Sequence, residues 1–254
     1  MAPGRLMGGF ERFQHAMLTA FQKQLETVVA QHKDELGAAL KNDIFDLDGP
    51  REVNRIYAPH EYLIAKHFRS YLEINRSIQT LEDIEFYVRR FPFQKTHIKC
   101  ESYLQFHIEC YFSELYILRE RLTTYFKLVQ RLYRKEPKIQ EVNKICTAAQ
   151  DAVDDALRGV TTVRSSHVHQ ERFTDKEIER LDILALLANA PDQQLSEVAA
   201  NYYKEVYRAI KKKWSTRIKT DIGSIKKLLD VVFGALHPII FDEPTGNIHL
   251  PKTS

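Results

Sequence analysis

The sequence predicts an all-α fold, an elongated antiparallel bundle of about six helices closed by a short extended C-terminal tail. Three observations predict it. Apolar residues recur at steps of three and four over long stretches, the period of helices that bury one face. Glycine and proline are scarce, at 9 each in 254 residues, whereas an all-β chain would need them at its many turns. The breakers that do occur, Asp48-Gly49-Pro50, Phe91-Pro92, Pro137 and Pro191, divide the periodic stretches into separate helices.

The first pattern runs from Phe10 to Leu40 through Phe13, Met17, Phe21, Leu25, Val28, His32 and Leu36. The residues before it, Met1 to Gly9, are expected to be flexible, and Asp43 to Pro59 reads as a loop. Pro59 suits the first turn of a second helix, which continues through Tyr62, Ala65, Phe68, Tyr71, Leu72 and Ile74. After a bend expected near Ser77 it carries Ile78, Leu81, Ile84, Tyr87 and Val88, and stops at Pro92.

The third helix, expected from His97 to before Pro137, has the clearest seam: Tyr111, Leu115, Leu118, Leu122, Tyr125, Val129 and Leu132. Steps of four and three mark a helix packed lengthwise on another. The fourth runs from Lys138 through Val142, Ile145, Ala149, Val153, Leu157 and Val160 towards Arg164. Thr174 and Asp175 are expected to cap a fifth, Lys176 to Ala188, with Glu177 placed for a capping box. Ser196 is expected to cap a long sixth helix, whose stripe is Tyr203, Val206, Ile210, Trp214, Ile218, Ile222, Ile225, Leu229 and Val232. His237 to Ser254 reads as a hairpin or extended strap. With no internal repeat or low-complexity linker, the simplest parse is one domain. It comprises N-terminal helices at 10–91, a helical core at 97–235 and the tail at 237–254.

Composition narrows the function. Hydrophobic residues make up 44% and charged residues 28%, as in a globular protein. A formal net charge of +3 leaves any nucleic-acid surface local. Three cysteines without framework spacing fit a reducing compartment, and no apolar run reaches membrane-spanning length, so a cytoplasmic location without membrane contact is expected. Phosphate-cradling glycine loops, a Gly-x-Ser-x-Gly elbow and His-Glu-x-x-His are all missing, and no cofactor is expected.

Four groups of residues remain as candidates for chemistry. His97 and Cys100, then His107 and Cys110, are zinc-ligand types spaced to share a helical face. Ten residues of unbroken helix, however, separate the pairs by about 15 Å, too far for one ion, and no metal site is assigned. Asp151, Asp154 and Asp155 are the types that hold magnesium or exchange protons, or else form a solvated acidic face. The stretch from Lys204 to Lys227 is basic, and Lys204, Arg208, Lys211, Lys212 and Arg217 are candidates for binding an RNA backbone; the competing reading is a solvated face opposite the core.

The fourth candidate is Arg164-Ser-Ser-His-Val-His169. An arginine followed by a polar residue, with a histidine after four to six intervening residues, resembles the signature of the HEPN superfamily of small helical domains. Arg55 to His60 and Arg90 to His97 satisfy the same spacing, but the first pair lies in a loop and the second crosses a helix-breaking proline. Arg164 instead closes a long amphipathic helix that follows the seam helix, as in HEPN domains, and the resemblance extends in architecture over residues 97 to 235.

The resemblance implies a metal-independent endoribonuclease, or an RNA-binding relative, acting in a toxin or phage-defence system. It further implies a homodimer with facing motifs and a possible antitoxin or defence partner protein. His169 would move protons, Arg164 would hold the scissile phosphate, and Ser165 would orient the pair. On an unbroken helix Arg164 and His169 stand about 140° apart, whereas His167 is an i+3 neighbour of Arg164. Either the helix distorts there, the long Arg164 side chain curls round, or His167 shares the work. The alternative function is a non-catalytic helical interaction module that recruits a partner through an exposed heptad stripe.

Overall fold

A computed structural model describes residues 7–31, 59–90, 98–159, 175–242 and 247–249. Among them the chain is an all-α helical bundle of six helices: α1 (Gly9–Gln31), α2 (Pro59–Arg89), α3 (Cys100–Leu132), α4 (Ile139–Ala156), α5 (Lys176–Leu187) and α6 (Gln193–Ile240). No described helix is long and apolar enough to cross a membrane. Contacts divide the chain into two units. The first comprises Met1–Leu72, Leu128–Cys146 and Leu229–Ser254; the second comprises Glu73–Lys127 and Thr147–Leu228. Helices α2, α3, α4 and α6 each give a segment to both, so the division cuts across the boundaries expected near 91–97 and 235–237.

The first unit is held by rings. Phe13 lies 4.7 Å from Phe233 and 5.3 Å from Phe241, centroid to centroid, and Phe21 stacks on Phe68 at 3.8 Å. Such contacts add specific geometry to a large burial of apolar area. The start of α1 is pinned rather than flexible at Gly8 and Gly9. The Phe10 amide donates to Asp230 Oδ1 at 3.1 Å, so a carboxylate satisfies a free donor at a helix N-terminus. A Cβ on Gly9 would stand 2.0 Å from the Asp230 carbonyl oxygen, a separation only glycine avoids. His67 is buried here beside the Tyr133 ring, and desolvation pushes its imidazole down to about 3.

Past Phe21, α1 leaves the core. Leu25, expected in its stripe, is exposed, and residues 32–40 of the expected helix lie outside the described residues. At the other end of the chain α6 continues through Pro238 to Ile240, further than expected, because Leu236 and Ile240 are fully buried. Of the tail, expected as a hairpin or a strap, residues 237–242 and 247–249 are described. Phe241 and Ile248 pair as an antiparallel bridge, and the His249 amide donates to the Ile240 carbonyl at 2.7 Å.

The second unit adds polar ties to its apolar core. Arg121 bonds the Ser77 hydroxyl and the Glu73 carboxylate, and Ser77 donates to Glu114 at 2.6 Å. α2 runs unbroken through Ser77, and that buried hydroxyl anchors the network. Tyr111 donates to Asp221 at 2.5 Å, and Trp214 Nε1 donates to Asp175 at 3.1 Å.

The seam of α3 is consumed within the chain. Tyr111, Leu115, Leu118, Leu122, Tyr125 and Val129 are all 2% exposed or less. An exposed heptad stripe for a partner is therefore overturned, since its side chains already have their neighbours. The α5 cap is as expected at Asp175, while its capping box and the α6 cap differ. Asp175 itself is the N-cap of α5, accepting from the Glu177 amide, and the Glu177 carboxylate takes Lys213 at 2.7 Å instead of closing a capping box. Asp192 caps α6 by accepting from the Leu195 amide, while the Ser196 hydroxyl donates to the Ala188 carbonyl.

Candidate nucleic-acid interface

Arg164, Ser165, His167 and His169 lie outside the described residues, as does His97. The basic stretch of α6 is described in full. Trp214, Ile210 and Ile218 turn into the second unit's core, which leaves Lys204, Arg208 and Lys212 exposed. These three sit at i, i+4 and i+8, a row about 12 Å long on one side of the helix. Lys211, at i+7, flanks the row with its Nζ 5.6 Å from the Tyr207 ring centroid. None of the four has a carboxylate partner among the described residues.

Arg217 does not belong to the row. It follows Arg208 by nine residues, about 180° around a helix. Its guanidinium lies 5.0 Å over the Trp214 ring and 3.8 Å from the Asp221 carboxylate, so its charge is partly spent within the fold.

A group of aromatic residues on α2 and α3 was not singled out by the periodicity. The Ser215 hydroxyl donates to Glu85 at 2.8 Å, and Lys226 meets Glu82, so α2 and α6 run antiparallel. Tyr87 of α2 stacks on His107 of α3 at 5.2 Å, and His107 also meets Tyr103 at 4.3 Å and Phe106 at 5.3 Å. Tyr87 was expected in the core stripe of α2. The buried phase instead runs Leu63, His67, Tyr71, Ile74, Ile78, Leu81, Ile84 and Val88, which turns Tyr62, Phe86 and Tyr87 outwards. Phe106 is 57% exposed and Tyr87 44%. Arg90 lies 5.1 Å over the Phe86 ring, a cation–π contact that leaves its edge donors to solvent.

Ring packing also defines His107 chemically. Burial holds its imidazole below the ordinary value and raises the Cys100 and Cys110 thiols, so all three are uncharged near neutrality. Among the described residues, no group of three or more His, Cys, Asp or Glu side chains gathers as a metal site. Asp154 is held by Arg119 at 2.7 Å and Asp155 by Arg158, which separates the aspartate cluster into ion pairs.

An acidic cleft of about 320 Å³ lies between α3 and α5, lined by Glu101, Gln105, Asp175, Glu179 and Asp182. Tyr203 donates to Glu101 at 2.7 Å from the α6 side. A polyanion is repelled there and attracted to the Lys204–Lys212 row, so the charges of the second unit select one face. Fold and site together define an all-α protein with a local basic and aromatic surface. Compared with protein families, curated proteins and solved structures, the chain matches none.

Proposed function

We propose that the chain binds and cleaves RNA as a HEPN-like component of a toxin or phage-defence system, cytoplasmic and homodimeric. The observation that supports this best is the exposed row of Lys204, Arg208 and Lys212, whose charges no carboxylate among the described residues offsets. Cations free of partners release counterions when they meet a phosphate backbone, and this supplies most of the affinity. Lys211 flanks the row, and Arg217 contributes only if RNA wraps to the other side of α6.

Cleavage falls to Arg164-Ser-Ser-His-Val-His169. RNA brings its own nucleophile, so the reaction needs no metal. His169 removes the proton of a 2′-hydroxyl, whose oxygen attacks the adjacent phosphorus. The bond from phosphorus to the 5′-oxygen breaks, and that oxygen takes a proton from an acid such as His167 or water. The products are a 2′,3′-cyclic phosphate and a 5′-hydroxyl. Arg164 holds two phosphate oxygens and offsets the charge that builds on them, and Ser165 orients the pair.

The test is cleavage of total RNA by the purified chain in EDTA. The native chain cleaves, while Arg164→Ala and His169→Ala lose at least about 100-fold in rate with unchanged circular dichroism. Native cleavage that neither substitution alters would remove the motif from the mechanism, and absence of native cleavage would remove the nuclease.

A second reading is a non-catalytic interaction module. It rests on apolar side chains at the junction of α5 and α6, where Leu186 is 73% exposed and Val198 63%. Exposed apolar groups close together mark contact surfaces. Loss of an unchanged partner from pull-downs by Leu186→Asp, with RNA cleavage absent from the native chain, would favour this reading.

A further inference from the structure

Resting on the reading of the chain as a homodimer, we infer that the second copy docks on the outward face of α6, antiparallel about Ala209. Exposure defines that face. Leu195, Val198 and Tyr202 are 45%, 63% and 59% exposed, and Glu205, Ala209, Lys212, Thr216 and Thr220 continue it in solvent. With the half-buried Gly223, these positions fall within an arc of about 100° over about 42 Å of helix. Lys213, at the edge of the arc, is taken up by Glu177 at 2.7 Å. The core side of the same segment is Ala199, Ile210, Trp214 and Ile218, so the outward face has no packing role within the second unit.

The order of residues along the face identifies what covers it. Large apolar side chains, Leu195, Val198 and Tyr202, occupy one end. Thr216, Thr220 and Gly223 occupy the other, and Ala209 stands midway. Leu195 and Gly223 are each 14 residues from Ala209, Val198 and Thr220 each 11, and Tyr202 and Thr216 each 7. A second α6 laid antiparallel across a two-fold axis at Ala209 therefore sets every large side chain against a small one. Room exists for this, since a Cβ on Gly223 would meet nothing within 4 Å. The Thr220 hydroxyl is satisfied by the Thr216 carbonyl at 2.9 Å, so it brings no unpaired donor into the contact. Small residues at the centre and ends let two helices approach to about 8–10 Å.

Charge obeys the same symmetry. Glu205 and Lys212 are both exposed, and neither has an ion pair among the described residues. Within one chain they stand seven residues apart, about 10 Å, too far to meet. Across the two-fold, Glu205 comes within about one residue's rise of the partner's Lys212, and the reciprocal pair repeats the contact. An axis perpendicular to both helices keeps each flank on its own side. Lys204 and Arg208 of the two copies therefore share one flank, which doubles the cations offered to an RNA backbone. An unrelated helix would match this reversed order only by coincidence, whereas a second copy carries it by identity.

The test is the dimer dissociation constant of the full chain, from sedimentation over a range of concentrations. Glu205→Lys and Lys212→Glu each weaken dimerisation at least about tenfold, because each sets like charges together twice. The double swap Glu205→Lys/Lys212→Glu restores the native constant, with circular dichroism unchanged throughout. Val198→Asp weakens it at least about tenfold, and no second change on this face restores it. Ala209→Cys, which the axis places opposite itself, forms a covalent dimer on mild oxidation. Thr80→Cys, on the exposed side of α2, does not. A native dimer that the reversals leave unaltered, or that the double swap fails to restore, overturns the α6 surface and leaves the homodimer standing. A native chain that is monomeric at its highest soluble concentration overturns both.

Discussion

Phe13 and Phe106 are the same residue type put to opposite uses. Phe13 is fully buried in the first unit among Tyr71, Phe233 and Phe241, whereas Phe106 on the second unit's surface is 57% exposed. The contrast extends to charge. The first unit encloses a neutral histidine and closes a helix approach on glycine. The second ties its helices with Arg121, Asp221 and Asp175, and leaves Lys204, Arg208 and Lys212 to solvent. Rings and cations that serve no packing purpose are the ones available to a ligand, so the second unit is where function is sought.

Substitutions break this comparison most sharply at the two phenylalanines. Phe13→Ala costs about 3–5 kcal/mol, through lost transfer energy and a cavity among rings that cannot all collapse. Phe106→Ala changes stability by no more than about 0.5 kcal/mol. Urea unfolding of both variants reads the difference, and equal costs would show that Phe106 is a packing residue.

Acid sharpens the contrast next. Protonation of His67 is opposed in the folded chain and free in the unfolded one, so the unfolded state binds more protons between its ordinary value and about 3. Stability is therefore complete above about pH 6.5 and falls as pH drops, by up to about 1.4 kcal/mol per pH unit. A His67→Gln chain, unable to titrate there, has a flatter acid profile; the same slope in both would place the acid sensitivity elsewhere.

Two glycines give a smaller, asymmetric effect. Gly9→Ala forces a methyl against the Asp230 backbone and costs about 1–3 kcal/mol, whereas at Gly234 the nearest atom to an added Cβ is an ordinary 3.5 Å away. Gly234→Ala is neutral or stabilising by up to about 1 kcal/mol from helix propensity. Thermal melts of the two variants should move in different directions. The smallest effect is at the basic row, where Lys204→Ala and Arg208→Ala leave stability within about 0.5 kcal/mol, because neither side chain has an ion pair to lose among the described residues.

The long helices were legible because burial imposes a period that residue types reveal. Phe13 and Met17 in α1, the α3 seam from Tyr111 to Val129 and Trp214 to Leu229 in α6 fall where that period puts them. Legibility failed where a residue type suits two environments. Tyrosine packs in cores and at wet surfaces alike, so Tyr87 and Tyr111 look equivalent in sequence, yet one is exposed and the other buried against Asp221. The α6 cap shifted from Ser196 to Asp192 because both are good N-caps, and only the turn from α5 decides between them. The cation row was readable from its spacing. The pairing of Tyr87 with His107 was not, because they belong to different helices and meet only through packing. A search for rings one step off the buried phase, such as Phe86 and Phe106, would have found the signal.

The most direct measurement is the affinity of the native chain and of Lys204→Glu/Arg208→Glu for single-stranded RNA across a range of salt concentrations. The account predicts binding that weakens steeply with salt in the native chain, with loss of affinity and a slope shallower by about two in the variant. Native affinity that the charge reversals leave intact, or no binding by the native chain, would contradict it.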